Sequence, residues 1–325
     1  MIITRTPFRM SYVGGGTDIA SFYRDGGGAV LSTAIDKYMY ITVHKKFDDG
    51  VRVAYSQVEE VQAVSDIKHP LVREVLAELG LNGGVEITST ADIPAKGTGL
   101  GSSSSYTVGL ISALHAFMGK QIRPQDLASM ACKIEIERCA EPIGKQDQYA
   151  AAIGGLKLYE FHSDESVGIT PVQCSESFRG VLDTSTLIFY TGKTRSASGI
   201  LAEQTKNSAT NEKKISLRRM AELAYEFKGG IEAENLLMLG ELLKENWSLK
   251  KRLASGITNP HIDEMYLSGM QAGAIGGKLL GAGAGGFMMF LVDSKNREAV
   301  IKAMNKYRRF DFRIERSGSS VIYYG

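Results

Sequence analysis

The residues of this chain best suited to chemistry form one run of glycines and hydroxyls, Pro94-Ala95-Lys96-Gly97-Thr98-Gly99-Leu100-Gly101-Ser102-Ser103-Ser104-Ser105. Gly97, Gly99 and Gly101 carry no Cβ, so the backbone through them can take positive φ and turn successive N–H groups toward one anion. Behind it, Val108, Ile111, Leu114 and Phe117 recur at the spacing of an amphipathic helix over residues 106–118. The loop therefore opens a helix, whose unpaired N–H groups and partial positive charge favour a phosphate. A serine-capped turn between a strand and a helix would also use these residues. Four consecutive serines exceed what a cap needs, and favour a phosphate cradle.

Other candidates flank this run. Arg9 precedes Gly14-Gly15-Gly16-Thr17-Asp18, where bare backbone, a hydroxyl and a carboxylate suit the hydroxyls of a sugar. The same residues also make a turn with an Asx cap. Glu135, Glu137 and Glu141 lie along a predicted helix, where most glutamates are simply solvated. Asp147, in Gly144-Lys145-Gln146-Asp147-Gln148-Tyr149, stands where a helix N-cap is the commoner role. Lys193 and Arg195 follow a strand and read either as a grip on an anionic substrate group or as loop charges. Gly192-Lys193-Thr194 is no Walker A loop, because position 187 is Leu. Gly281-Ala282-Gly283-Ala284-Gly285-Gly286 matches GxGxxG in form, yet it enters a strand instead of opening a helix, which excludes a Rossmann reading. It suits a Cβ-free wall against a ligand or a neighbouring loop.

The elements that must position these residues can be read from periodicity and punctuation. Strands are expected at 2–6, closed by Pro7, and at 9–13, 29–34, 38–44, 51–55 and 85–88, with a helix over 69–79 ended by Gly80. A helix starting at Pro124 runs to about residue 140, followed by strands at 156–161, 167–172 and 187–191. Residues 196–273 have an almost continuous helical pattern, with breaks near 210, 229 and 256–260. A strand at 287–292, a helix at 296–307 and closing strands at 312–316 and 321–323 complete the chain. Strands first and helices afterwards indicate an α+β class. A boundary near 172–186 divides the chain into 1–180 and 181–325.

Composition removes several function classes. With 38 basic against 36 acidic residues, nothing in the overall charge favours nucleic acid or a membrane surface as partner. Cys132, Cys139 and Cys174 are an odd number without CxxC spacing, which suggests neither a disulfide framework nor a zinc site and fits a reducing compartment. The N-terminus lacks a signal-peptide pattern and nowhere do 18 apolar residues run together, so a cytoplasmic protein is expected.

The order and spacing of the three glycine-rich elements resemble the GHMP kinase superfamily. Pro7-Phe8-Arg9 through Asp18 matches its first motif, Pro94 through Ser105 its second and Lys278 through Gly286 its third. The resemblance implies an N-terminal domain like the second domain of ribosomal protein S5 and a ferredoxin-like C-terminal domain, with the active site between them. Within the superfamily the chain is most similar to sugar 1-kinases of the heptose 7-phosphate type, through Arg5 to Ser11, Gly27 to Thr33, Ile35 to Tyr38 and Gly144 to Tyr149. Galactokinase-like members carry Glu-His where Gly15-Gly16 stands, whereas fucose kinases share the Gly-Gly-Gly-Thr-Asp pattern. The implied chemistry is transfer of the γ-phosphate of ATP to a small sugar phosphate, with Mg²⁺ held by Ser103 and Glu137. The 94–105 loop would wrap the nucleotide, including Pro94, Lys96 and Leu100. Asp147 would be the general base and Arg9 the cation beside it. Gly15, Gly16, Thr17, Asp18 and Gly283 would bind the acceptor, and Lys193 and Arg195 a distal phosphate. A homodimer is left open.

Overall fold

β1 (Ile2–Val13) and β2 (Gly28–Lys45) run antiparallel along most of their length and form the spine of the larger sheet. The structure, a computed structural model, describes residues 1–94, 97–192, 199 and 211–325. Pro7 does not end the first strand. It sits at a register shift between Pro7 and Phe8, so the residue that lacks an N–H lies where the ladder is already irregular. The same irregularity on the partner side merges the two strands expected at 29–34 and 38–44 into the single strand β2.

The larger sheet has the order β13-β1-β2-β5-β3-β4, with β3 (Val51–Ala54), β4 (Val58–Val61), β5 (Val85–Ala91) and β13 (Ser320–Tyr324). β6 (Leu156–Phe161) and β12 (Ile314–Glu315) also pair with β2, and β7 (Val167–Pro171) pairs with β6. The closing strands β12 and β13 thus complete the N-terminal sheet, although they belong to the end of the chain. The helix Ser102–Phe117 packs on β1 and β2.

A second sheet has the order β11-β8-β10-β9, with β8 (Thr186–Tyr190), β9 (Ala274–Leu279), β10 (Phe287–Val292) and β11 (Arg309–Phe310). Every residue of β10 is buried, as a continuous apolar run on a central strand requires. The helices Leu236–Lys251 and Pro260–Gln271 cover this sheet through β9, and Trp247 lies in the core between them. The helix Asn211–Glu232 packs against both Leu236–Lys251 and β2, bridging the two sheets. The break expected at Gly229-Gly230 is absent, because Phe227 and Ile231 on either side are buried and hold the helix through it. An additional helix, Glu176–Ser185, occupies the expected boundary region, with Ser175 Oγ accepting from Phe178 N at 3.1 Å as its cap. Among the described residues, no helix is long and apolar enough to cross a membrane.

Candidate active site

The Ser102–Phe117 helix starts immediately after Gly101, so all four serines lie in its first turn. β1 straps the preceding loop: the backbone N–H of Arg9 donates to the Leu100 carbonyl at 3.1 Å, and Ser105 Oγ donates to the Pro7 carbonyl at 2.9 Å. The third glycine-rich element packs backbone to backbone against the same loop. A Cβ on Gly281 would lie 2.4 Å from Gly99 Cα, and one on Gly99 would lie 2.3 Å from the Leu280 carbonyl oxygen. The wall against a neighbouring loop, one of its two sequence readings, is present in the structure. Gly283 itself faces Ile257, whose Cα would be 2.7 Å from an added Cβ.

Asp147 is not a helix cap. Lys145 occupies the cap position of the helix Gln146–Ile153, and Asp147 is its second residue. Its carboxylate receives two parallel hydrogen bonds from Arg9, Nε to Oδ1 and Nη2 to Oδ2, each 2.7 Å. Arg9 Nη1 donates to the Gly99 carbonyl at 2.7 Å. The guanidinium is 5% exposed and the carboxylate 24%, so the pair is rigid on the arginine side and open on the acid side. Asp147 Oδ2 lies 3.4 Å from where a Cβ on Gly101 would stand, which puts the acid against the head of the serine helix.

The carboxylate that faces the serines is Glu135, not Glu137. Ser103 Oγ donates to Glu135 Oε1 at 2.6 Å, Ser104 Oγ to Oε2 at 2.7 Å, and Gln148 Nε2 to Oε2 at 2.5 Å. Glu135 is 0% exposed, whereas Glu137 is exposed. The cause is helical phase. Leu127, Ala128, Ala131, Ile134 and Glu135 line the inner face, and a residue two positions further points away from it. The segment then widens into a π-helix over Lys133–Arg138. Burial pushes the Glu135 carboxyl up to about 7; the hydrogen bonds from Ser103, Ser104 and Gln148 oppose the rise and the charge of Asp147 adds to it.

The Gly14–Asp18 loop is tied to the start of the helix Gln146–Ile153, which carries Asp147. Asp18 Oδ1 accepts from Gly16 N at 2.9 Å and from Gln146 Nε2 at 3.0 Å, and Oδ2 accepts from Gln146 N at 3.1 Å. Gly144 makes room for this carboxylate, since a Cβ there would lie 2.0 Å from Asp18 Oδ2. Burial raises the Asp18 carboxyl, as does the charge of Asp147, against the pull of these backbone donors. Thr17 is fully buried and spends its hydroxyl on Ala29, donating to its carbonyl at 2.9 Å and accepting from its N–H at 3.0 Å.

Three polar residues from the C-terminal half were missed by sequence reasoning, and all of them grip this loop and the strand leading into it. Asn246 Oδ1 accepts from Gly14 N at 3.1 Å, and Lys250 Nζ donates to the Gly15 carbonyl at 3.1 Å. Lys278 Nζ donates to the carbonyls of Ser11 and Tyr12 at 2.9 and 3.0 Å. Burial brings Lys250 down to about 8, with Asp18 opposing the fall and Arg9 adding to it. Burial holds Lys278 well below the usual lysine range, helped by Lys250 and Arg9. The one available signal was a polar pair, Asn246 and Lys250, spaced one turn apart beside the apolar Leu243 and Trp247. Pro94 is exposed at the edge of the loop, and Lys96, Lys193 and Arg195 lie outside the described residues.

The structure brings together Arg9, Asp147, Ser103 and the Gly14–Asp18 loop, from segments far apart in sequence, around the adjoining starts of the helices Ser102–Phe117 and Gln146–Ile153. The family described as GHMP kinases N terminal domain matches residues 67–155, and GHMP kinases C terminal matches 227–309. A D-glycero-alpha-D-manno-heptose 7-phosphate kinase from Campylobacter jejuni subsp. jejuni is 29% identical over 332 residues, covering 98% of this chain and 97% of its own. A mevalonate kinase from Pyrococcus abyssi is 30% identical over 251 residues, covering 75% of this chain and 69% of its own. Among solved structures, a D-glycero-D-manno-heptose 1-phosphate kinase from Bacteroides thetaiotaomicron matches with a TM-score of 0.82 at 22% identity over 100% of both chains, a likeness of fold. With both family halves present in order on the shared fold, the chain belongs to the GHMP kinase family and is a phosphotransferase.

Proposed function

We propose that the protein is a sugar 1-kinase, which transfers the γ-phosphate of ATP to the anomeric hydroxyl of D-glycero-D-manno-heptose 7-phosphate. The products are the 1,7-bisphosphate, a precursor of nucleotide-activated heptose, and ADP. The observation that carries phosphoryl transfer is the Arg9–Asp147 pair set against the head of the serine helix. A heptose phosphate acceptor is supported by the Campylobacter relative, which matches along nearly the whole of both chains.

In this reading the acceptor hydroxyl hydrogen-bonds Asp147, whose carboxylate takes its proton as the oxygen bonds to the γ-phosphorus. The bond from that phosphorus to the bridging oxygen breaks, and ADP leaves with the electron pair. Arg9 aims the carboxylate by holding both its oxygens, and its charge steadies the negative charge on the transferred group. The N–H groups of the 97–105 segment receive the phosphates. Gly15, Gly16, Thr17 and Asp18 shape the acceptor pocket, and Lys193 and Arg195 remain our candidates for a distal phosphate.

Among the described residues no group of three or more His, Cys, Asp or Glu gathers to hold a metal ion. The Ser103 hydroxyl and the buried Glu135 carboxylate, already in contact at 2.6 Å, nevertheless fit Mg²⁺, which takes few protein oxygens and keeps several waters. When bound, the ion would supply positive charge to the β- and γ-phosphate oxygens. We place the activity in the cytoplasm, where ATP is supplied.

The test is ATP consumption with the heptose phosphate beside fucose, mannose, galactose and mevalonate. Turnover of the heptose phosphate above the others is the expected result. Turnover of a free hexose without the heptose phosphate overturns the acceptor, and tight ATP binding with nothing phosphorylated across the panel overturns the kinase.

A further inference from the structure

Two side-chain amides reach the Gly14–Asp18 loop from distant parts of the chain, and each is only half used. Asn246 is 0% exposed, and its Oδ1 accepts from Gly14 N. That bond fixes which end of the amide is oxygen, and leaves Nδ2 buried with no partner among the described residues. Gln146 donates its Nε2 to Asp18 Oδ1, so its Oε1 is the buried atom left over. Gln146 Nε2 lies 3.6 Å from where a Cβ on Gly15 would stand, and Asn246 bonds the residue before it, so both amides sit on adjacent residues of one loop.

A buried donor or acceptor without a partner costs about 1–3 kcal/mol. Such groups are scarce in folded proteins, and each one calls for a cause. Here the leftovers are complementary in kind. One is an N–H that needs an acceptor, and the other is a carbonyl that needs a donor. A hydroxyl offers both functions, so neighbouring hydroxyls of one ligand would satisfy the pair, whereas a carboxylate could accept from Asn246 but could not donate to Gln146.

We propose that Asn246 and Gln146 are specificity-determining residues of the acceptor site, with Asn246 Nδ2 donating to one hydroxyl of a polyhydroxylated acceptor and Gln146 Oε1 accepting from its neighbour. The inference rests on the reading of Gly14–Asp18 as the acceptor loop. It assigns to the C-terminal half a direct part in choosing the acceptor, through the helix Leu236–Lys251. A site built to hydrogen-bond a hydroxyl rejects the analogue that lacks it, because its own buried groups are then left unpaired.

The informative variant is Asn246→Asp. It keeps an oxygen for Gly14 N and replaces the leftover donor by a second oxygen, so it removes the proposed donation while retaining the acceptor for the loop. The probe is D-glycero-D-manno-heptose 7-phosphate with its mono-deoxy analogues, or, should a free hexose prove to be the acceptor, that hexose with its own. We expect the acceptor KM of Asn246→Asp to rise at least tenfold while the ATP KM stays within twofold. We also expect one mono-deoxy analogue to lose at least tenfold in kcat/KM with the wild-type protein but not with the variant. An acceptor KM within twofold of wild type overturns the inference while leaving the kinase reading standing. Absence of turnover with every sugar overturns both. If Asn246→Asp and Asn246→Ala both fail to fold, the wild-type protein decides: equal kcat/KM for all mono-deoxy analogues overturns the inference.

Discussion

Arg9 and Asp147, 138 positions apart, are joined by two parallel 2.7 Å hydrogen bonds, and the same guanidinium donates at 2.7 Å to the Gly99 carbonyl. One side chain thus registers the acid against the phosphate loop. The acid cannot shift along the loop without breaking a bidentate contact, and the loop cannot open without freeing the arginine. Positioning of this kind is what phosphoryl transfer requires from a protein.

Asp147→Asn should therefore fold and bind ATP with near-normal affinity, yet lose about 10²–10⁴-fold in kcat, the usual contribution of a positioned general base. Arg9→Lys should lower kcat and also raise the ATP KM, because a lysine cannot hold both carboxylate oxygens and the Gly99 carbonyl together. Steady-state kinetics with both variants checks this. A wild-type rate in Asp147→Asn would remove the residue from the mechanism.

Glu135 and Glu137 make a paired test of the metal assignment. Glu135→Gln should raise the Mg²⁺ concentration needed for half-maximal activity by about 10–100-fold, a range seen when groups that support a metal site are removed. Glu137→Gln, altering an exposed residue, should stay within about twofold. Mg²⁺ titrations of the ATPase rate separate the two, and the reverse order would restore Glu137.

Much of this site was legible in the sequence because glycine and serine runs are local signals. Gly97 to Ser105, Gly14 to Asp18 and Gly281 to Gly286 each announce bare backbone or hydroxyls without knowledge of the fold. The helix carrying Glu135 was legible too, but the choice between Glu135 and Glu137 needed its phase, which Leu127, Ala131 and Ile134 carried. Pro7 misled because a proline reads as a strand stop, and only pairing with β2 reveals the bulge that tolerates it. The contacts of Asn246, Lys250 and Lys278 were hidden for a different reason. Their partners are backbone groups more than 200 residues away, and no local pattern encodes such a contact.

The contact between Gly99 and the Leu280–Gly281 backbone should be intolerant of any side chain. Gly99→Ala adds a Cβ 2.3 Å from the Leu280 carbonyl oxygen at a φ of +76°, so either the phosphate loop or the third glycine element must move. Strain of this kind costs about 1–3 kcal/mol, which lowers the Tm by several degrees, and the ATP KM should rise with it. Gly180→Ala is the control. Gly180 lies in the helix Glu176–Ser185 with nothing within 4 Å of its added Cβ, and the substitution should stabilise by about 0.5–1 kcal/mol. Equal thermal shifts for the two variants would contradict the packing described.

Lys250 should give the protein a stability that rises with pH above neutrality. Burial brings its ammonium from the usual 10.5 down to about 8, with Asp18 opposing and Arg9 assisting. Below pH 8 both the folded and unfolded chains carry the proton, so the whole cost of burying the charge is present. Between 8 and 10.5 the unfolded chain still holds the proton that the folded chain has released, and stability climbs with pH by at most about 3 kcal/mol. Lys250→Met cannot make this gain, and by removing a neighbouring charge it lets the proton affinity of Lys278 rise, which also reduces the gain of the variant with pH. Urea unfolding of the two at about pH 7.5 and about pH 10 should therefore show the stability difference moving in favour of the wild type as pH rises. A difference that stays constant across the window would mean that Lys250 keeps an ordinary lysine affinity for its proton, and that its contact with Gly15 is made by a mainly charged side chain at every pH tested.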